Sequence, residues 1–198
     1  MKPLNRNVYI LLLLLLSTIV ALPESHAQTN EMYLLVVDVQ TQFIKDIEAD
    51  SSSAGLLKSI NDLIEHCDPH KVVYIKSPKM ALTISFKRLG VDTLSVPELD
   101  KRLKIVNANI FLKTKGNAFI SKDLNDFLGG NGAKKILVVG LAAERCVYET
   151  VLGGLKLGYE MYLMPEAILG VNPEGKDKSM EKLVKKGAKL TTLKEIRD

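Results

Sequence analysis

Hydrophobicity along the chain falls into short unbroken runs separated by stretches of helical spacing. Met32–Val39 (Met-Tyr-Leu-Leu-Val-Val-Asp-Val) is apolar throughout except at Asp38. A continuous run, as opposed to an alternating one, predicts a strand covered on both faces, as in a parallel sheet. Val72–Ile75, Asn109–Lys113, Lys135–Gly140 and Tyr159–Pro165 predict further strands, and Ala188–Leu190 a short last one. Leu56, Leu57, Ile60, Leu63 and Ile64 share one helical face, so Ala54–His66 predicts a helix behind an N-cap in Ser51–Ser53. Lys122–Leu128, Arg145–Gly158 and Ser179–Lys186 predict three more, the last closed by Gly187. Met80–Lys104, interrupted by Gly90 and Pro97, has little periodicity and predicts only one helix near Pro97–Leu103. Strands that alternate with helices predict an α/β domain, a mainly parallel Rossmann-like sheet in a three-layer αβα arrangement.

The N-terminus is a separate unit. Lys2 and Arg6 precede the apolar run Val8–Leu22, which contains six consecutive leucines, and Ser25-His26-Ala27 places small residues before Gln28. This is the charged, apolar and cleavage pattern of a secretory signal peptide. Residues 1–27 are therefore expected to be a signal segment and residues 28–198 the functional domain. The run is shorter than the roughly 20 residues that span a bilayer, so no stable membrane anchor is expected after processing. The protein is expected to be exported, periplasmic or extracellular.

Composition changes this picture little. The chain has 198 residues, 46% of them hydrophobic, and a net charge of +4. The lysines are scattered and not interleaved with aromatics, which argues against nucleic-acid binding and only weakly for anionic partners. The two cysteines, Cys67 and Cys146, are too few for a disulfide framework, and there is no Cys-x-x-Cys for a redox site. A disulfide between them depends on a separation that sequence does not give.

Candidate chemistry gathers at strand ends. Asp38 closes the first strand, Lys113 the third, and Cys146 follows the fourth after a turn that begins at Gly140. Parallel strands bring such ends to one edge, where open α/β sheets bind ligands. At that edge an aspartate can act as general base, a lysine can stabilise a thiolate, and a cysteine can be the nucleophile. Each residue has a plainer reading: Asp38 as a turn cap, Cys146 as a small buried hydrophobe. A nucleophilic Cys146 at a helix N-terminus is expected to alkylate at mildly acidic pH, below the ordinary thiol pKa of about 8.5.

Three segments resemble the isochorismatase-like cysteine hydrolase family, in the family's order. Asp38-Val-Gln40-Thr-Gln-Phe43 resembles its opening Asp-x-Gln-x-x-Phe. Lys113, six residues before Phe119, resembles its lysine segment, and this spacing favours Lys113 over Lys115. Gly140-Leu141-Ala142-Ala143-Glu144-Arg145-Cys146 resembles its Gly-hydrophobic-Ala-x-x-x-Cys segment. The resemblance runs from about Met32 to Leu190. It implies a six-stranded parallel sheet and a triad of Asp38, Lys113 and Cys146. It further implies a non-proline cis peptide at Leu141-Ala142 beside an oxyanion site, and hydrolysis of a C–N bond in a small amide through a thioester on Cys146. Leu141, Ala142, Phe43 and Phe119 are the candidate substrate contacts. Glu144 and Arg145 read as turn and rim residues, and Tyr74 as a further aromatic of pocket or core.

Departures from the family pattern narrow the expectation. Nicotinamidases of this family hold a metal with an Asp and two histidines after the second strand, where this chain reads Ser77-Pro78-Lys79-Met80. His66 and His70 are separated by Asp68-Pro69 and read as surface residues. No metal and no cofactor are expected, and nicotinamide is a doubtful substrate. A small-molecule substrate is expected, and a homo-oligomer is compatible with the reading. A non-catalytic binding or scaffold protein on the same fold is the alternative.

Overall fold

A computed structural model of the chain describes residues 32–47, 52–85 and 88–197, so the expected signal segment and its junction at Ala27 lie outside the described residues. Six strands form one sheet: β1 (Met32–Val37), β2 (Val72–Lys76), β5 (Ile110–Leu112), β6 (Lys135–Leu141), β7 (Glu160–Leu169) and β8 (Lys189–Leu190). Their spatial order is β5-β2-β1-β6-β7-β8, and every neighbouring pair is parallel. The unbroken apolar runs have the predicted cause: Leu34–Val37, Val72–Tyr74 and Ile136–Val139 are all at most 1% exposed, with cover on both faces.

The helices form the outer layers. One face of the sheet packs against α2 (Ser52–His66), whose Leu56, Ile60, Leu63 and Ile64 meet Leu34, Val36 and Val139, with Ile196 of α6 (Leu193–Arg197) beside them. The other face packs against α3 (Lys122–Gly130), α4 (Tyr148–Lys156) and α5 (Pro173–Lys185), through Leu124, Leu128, Val151 and Leu183 against Leu35, Val138 and Leu163. The three-layer αβα expectation holds.

Several segments differ from the sequence reading. No helix forms at Pro97–Leu103. The backbone there is committed to the end of β1: Leu99 bridges Gln40, Glu98 O accepts from Thr41 N, and Asp100 N donates to Val39 O. Those bonds replace the i→i−4 ladder a helix needs. Lys79–Ser85 (β3) and Arg88–Ser95 (β4) instead pair as a separate two-stranded antiparallel sheet, where the sequence pattern predicts no strand. Helix α5 begins at Pro173, not Ser179, because Asn172 caps it by accepting from Gly175 N and Pro173 fits the first turn. A short helix, α1 (Thr41–Ile47), follows β1 where the sequence pattern predicts none.

Register positions the site. Val37 pairs with Ile75 and with Gly140, and Lys76 pairs with Leu112. Asp38 N donates to Ile75 O, and Lys113 N donates to Lys76 O. Asp38, Ser77, Lys113 and Leu141 thus leave the same edge of the sheet at one level. The close approach of β1 and β6 requires a glycine at 140: its φ is +114°, and a Cβ there would stand 2.1 Å from the Val37 carbonyl oxygen.

Candidate active site

At that edge Asp38 and Lys113 form a buried ion pair, Lys113 Nζ lying 2.9 Å from Asp38 Oδ2. Both are nearly inaccessible, Asp38 at 3% and Lys113 at 1%. Asp38 adopts a φ of +56°, a left-handed conformation that aspartate tolerates better than most residues and that clusters at functional turns. Its other oxygen, Oδ1, accepts from Ser77 Oγ at 2.8 Å. Gln40, fully buried, fixes Ser77 in turn: its Oε1 accepts from Ser77 N at 2.8 Å, and its Nε2 donates to Ser77 O at 3.0 Å and Pro97 O at 2.6 Å.

Lys113 is held from the opposite side. Its Nζ also donates to Lys115 O at 3.3 Å. The loop beyond is tied to α4 by Thr150, whose Oγ1 accepts from Ala118 N at 3.0 Å and donates to Gly116 O at 3.3 Å. Asn117 caps the short turn Ala118–Ile120 by accepting from Phe119 N.

The thiol completes the group. Cys146 is half-buried and lines the same cleft as Asp38 and Lys113, whose charges both act on its thiol. It stands within a single π turn, Ala143–Val147, closed by Val147 N donating to Ala142 O at 3.2 Å; the α-helix proper starts at Tyr148. The helix predicted from Arg145 is therefore preceded by the wider turn that often marks functional sites. The peptide bond Leu141-Ala142 is cis, as the resemblance implied.

The electrostatics of the thiol differ from expectation. Burial and the adjacent Asp38 carboxylate push the Cys146 pKa up to about 11, against a smaller downward pull from Lys113. The resting sulfur is a protonated thiol beside a base, not a standing thiolate. The helix N-terminus, the basis for expecting an acidic pKa, is outweighed by lost solvation and a neighbouring negative charge. The arrangement suits a thiolate generated by proton transfer to Asp38 and then faced by the Lys113 cation.

A cleft of about 530 Å³ opens over the three residues. Phe43, Leu141 and Ala142 line it together with Ile47, Pro78 and Val171. Phe119 does not. It is 5% exposed in the core, its ring stacked on Tyr159 at 5.4 Å, because the turn at Ala118–Ile120 directs it inward. Tyr74 is also buried, donating to Lys104 O and accepting from Val106 N. Sequence reasoning misses the roles of Thr150 and Gln40; the signals available are a polar residue four after Cys146 and one two after Asp38. Glu144 is a turn residue, as its position suggests, and both its carboxylate oxygens accept from Val171 N at 3.0 Å, which ties the turn that carries Cys146 to the cleft wall.

Cys67 is a free thiol at the end of α2, packed on the face of the sheet opposite Cys146 and pushed up to about 11 by burial. Among the described residues, the donors around the cleft form no metal-ligand set: Asp46 is engaged by Lys79 at 3.3 Å, and no three His, Cys, Asp or Glu gather.

Comparison with known proteins agrees with the geometry. A family model described as the isochorismatase domain matches residues 32–195. The probable hydrolase YcaC of Escherichia coli is 25% identical over 175 residues, 86% of this chain and 77% of that protein. Its crystal structure, of an octameric hydrolase of unknown specificity, has a TM-score of 0.66 at 19% identity, over 89% of this chain and 82% of that one. Streptothricin hydrolase of Streptomyces noursei is 27% identical over 141 residues, 68% of this chain and 48% of that protein, so the chain spans about half its length. Pyrazinamidase of Pyrococcus horikoshii, solved in complex with zinc, has a TM-score of 0.61 at 24% identity, over 82% of this chain and 99% of that one. Among the described residues no helix is long and apolar enough to cross a membrane.

Proposed function

The chain belongs to the isochorismatase family of hydrolases, and from that premise we propose that it is an exported cysteine hydrolase of small amides. The observation that carries this reading is the buried Asp38–Lys113 ion pair and the Cys146 thiol lining one open cleft, with both charges acting on the thiol.

Asp38 takes the thiol proton as the amide carbonyl arrives. The sulfur attacks the carbonyl carbon, and backbone N–H groups of the Ala142–Cys146 turn hold the oxygen that becomes negative. Asp38 returns the proton to the departing nitrogen, the C–N bond breaks, and a thioester remains on Cys146. Water, deprotonated by Asp38, then attacks the thioester and releases the acid and the thiol. Lys113 stabilises the sulfur anion in both half-reactions. Burial gives this cation its effect, since the same charge in bulk water would be strongly screened.

Ammonia release across a panel of small amides, compared between the wild type and Cys146→Ala, tests the activity. Export rests on the pattern of residues 1–27. N-terminal sequencing of the protein from periplasm or medium tests it, with Gln28 as the expected first residue. By analogy with the octameric relative, the protein is proposed to assemble as a homo-oligomer, which light scattering reads directly.

A further inference from the structure

The charges of the cleft do not cancel. Six charged side chains line it: Asp38, Asp46, Lys79, Lys113, Lys115 and Arg145. Lys113 is paired with Asp38, and Lys79 with Asp46. Lys115 and Arg145 form no ion pair among the described residues, and both are exposed at the rim. Glu149, whose carboxylate lies against Gly116, is not part of the lining.

The backbones that carry both cations are anchored close to the thiol. Arg145 precedes Cys146 on the same π turn. Lys115 is two residues from Lys113, and its carbonyl accepts from the Lys113 ammonium. Phe43, Ile47, Pro78, Leu141, Ala142 and Val171 form the apolar part of the wall, and Ser77 and Thr114 add uncharged polar groups. Among the described residues, the cleft therefore presents a thiol, an apolar surface and two positive charges without an ion-pair partner.

Resting on the hydrolase reading, we propose that Lys115 and Arg145 form a carboxylate-binding subsite, so that the substrate is a small amide carrying its own carboxylate. A guanidinium and an ammonium at the mouth of a low-dielectric cleft attract such an anion and orient its amide toward Cys146. A neutral amide of the same size gains only the apolar contacts.

Two alkylating reagents of similar shape and different charge test this. The rate of iodoacetate relative to iodoacetamide at Cys146, located by mass spectrometry, is compared with the same ratio on N-acetylcysteinamide. The ratio cancels any change in thiolate fraction. It is expected to be about tenfold higher at Cys146 and to return toward the reference in a Lys115→Gln/Arg145→Gln variant. No excess, or an excess that survives both substitutions, overturns the subsite. Reaction with both reagents at the reference ratio removes the subsite and leaves the hydrolase reading standing. Should the thiol resist both, calorimetry on Cys146→Ala with succinamate and succinamide decides. Tighter binding of succinamate that is lost in the double variant supports the subsite, and no preference, including binding of neither, overturns it.

Discussion

Thr150 and Ala118 are joined by a 3.0 Å hydrogen bond that fastens the helix behind Cys146 to the loop behind Lys113. The same hydroxyl donates to Gly116 O, so one side chain sets the distance between nucleophile and lysine. Thr150→Val leaves the Ala118 N–H without its acceptor at a buried position, which costs about 1–3 kcal/mol. Thr150→Ser keeps the hydroxyl and is expected to restore both stability and turnover. Chemical denaturation and ammonia-release rates on the two variants check this.

Gln40 does the corresponding work for Asp38. Its amide makes three bonds to Ser77 and Pro97, and Ser77 then donates to Asp38. Gln40→Leu strands three polar groups of the turn and is expected to cost at least about 1–3 kcal/mol, with a larger fall in kcat than in KM. A variant with unchanged stability would show that Ser77 is held by other means.

The thiol's pKa gives a prediction of definite sign. Burial and Asp38 raise it, and Lys113 lowers it, with a result of about 11. The alkylation rate of the wild type is therefore expected to keep rising through pH 9 without levelling off. Asp38→Asn removes the carboxylate's upward push and leaves the Lys113 charge in place, so the thiol becomes more acidic. That variant is expected to alkylate faster than the wild type at pH 7.5 while losing amide turnover, since no base remains to return the proton. Iodoacetamide kinetics against pH on both proteins read the shift.

Gly140 is expected to tolerate no side chain. Its φ is +114°, and the Val37 carbonyl oxygen lies 2.1 Å from where a Cβ would stand, so Gly140→Ala combines backbone strain with a clash against main chain. A loss of more than about 2 kcal/mol is expected, because neither strand can retreat without breaking the central pairing of β1 and β6. A thermal melt measures it.

The convergence of Asp38 and Cys146 is legible because the buried parallel strands β1 and β6 have continuous apolar runs whose ends share an edge; Lys113 closes the exposed edge strand β5 and is picked out by its spacing to Phe119. What was missed depends on tertiary partners. Leu99 and Asp100 bond to the end of β1, which no local pattern announces, so Pro97–Leu103 is not helical. Phe119 follows the lysine at the family spacing, yet its direction is set by the Asn117 cap and the Tyr159 ring. The Cys146 pKa reverses the sequence expectation because proximity to Asp38 and depth of burial are properties of the fold. β3 and β4 pair only with each other, and Gly90 within β4 interrupts the apolar pattern that would announce a strand.

The central claim is a covalent intermediate on Cys146. Rapid acid quench during turnover of an amide found by the ammonia screen, followed by peptide mass spectrometry, tests it most directly. The Cys146 peptide is expected to gain the mass of the substrate's acyl group, and Cys146→Ala to show neither adduct nor ammonia. Turnover that persists in Cys146→Ala, with no acyl mass on the wild-type peptide, would contradict it.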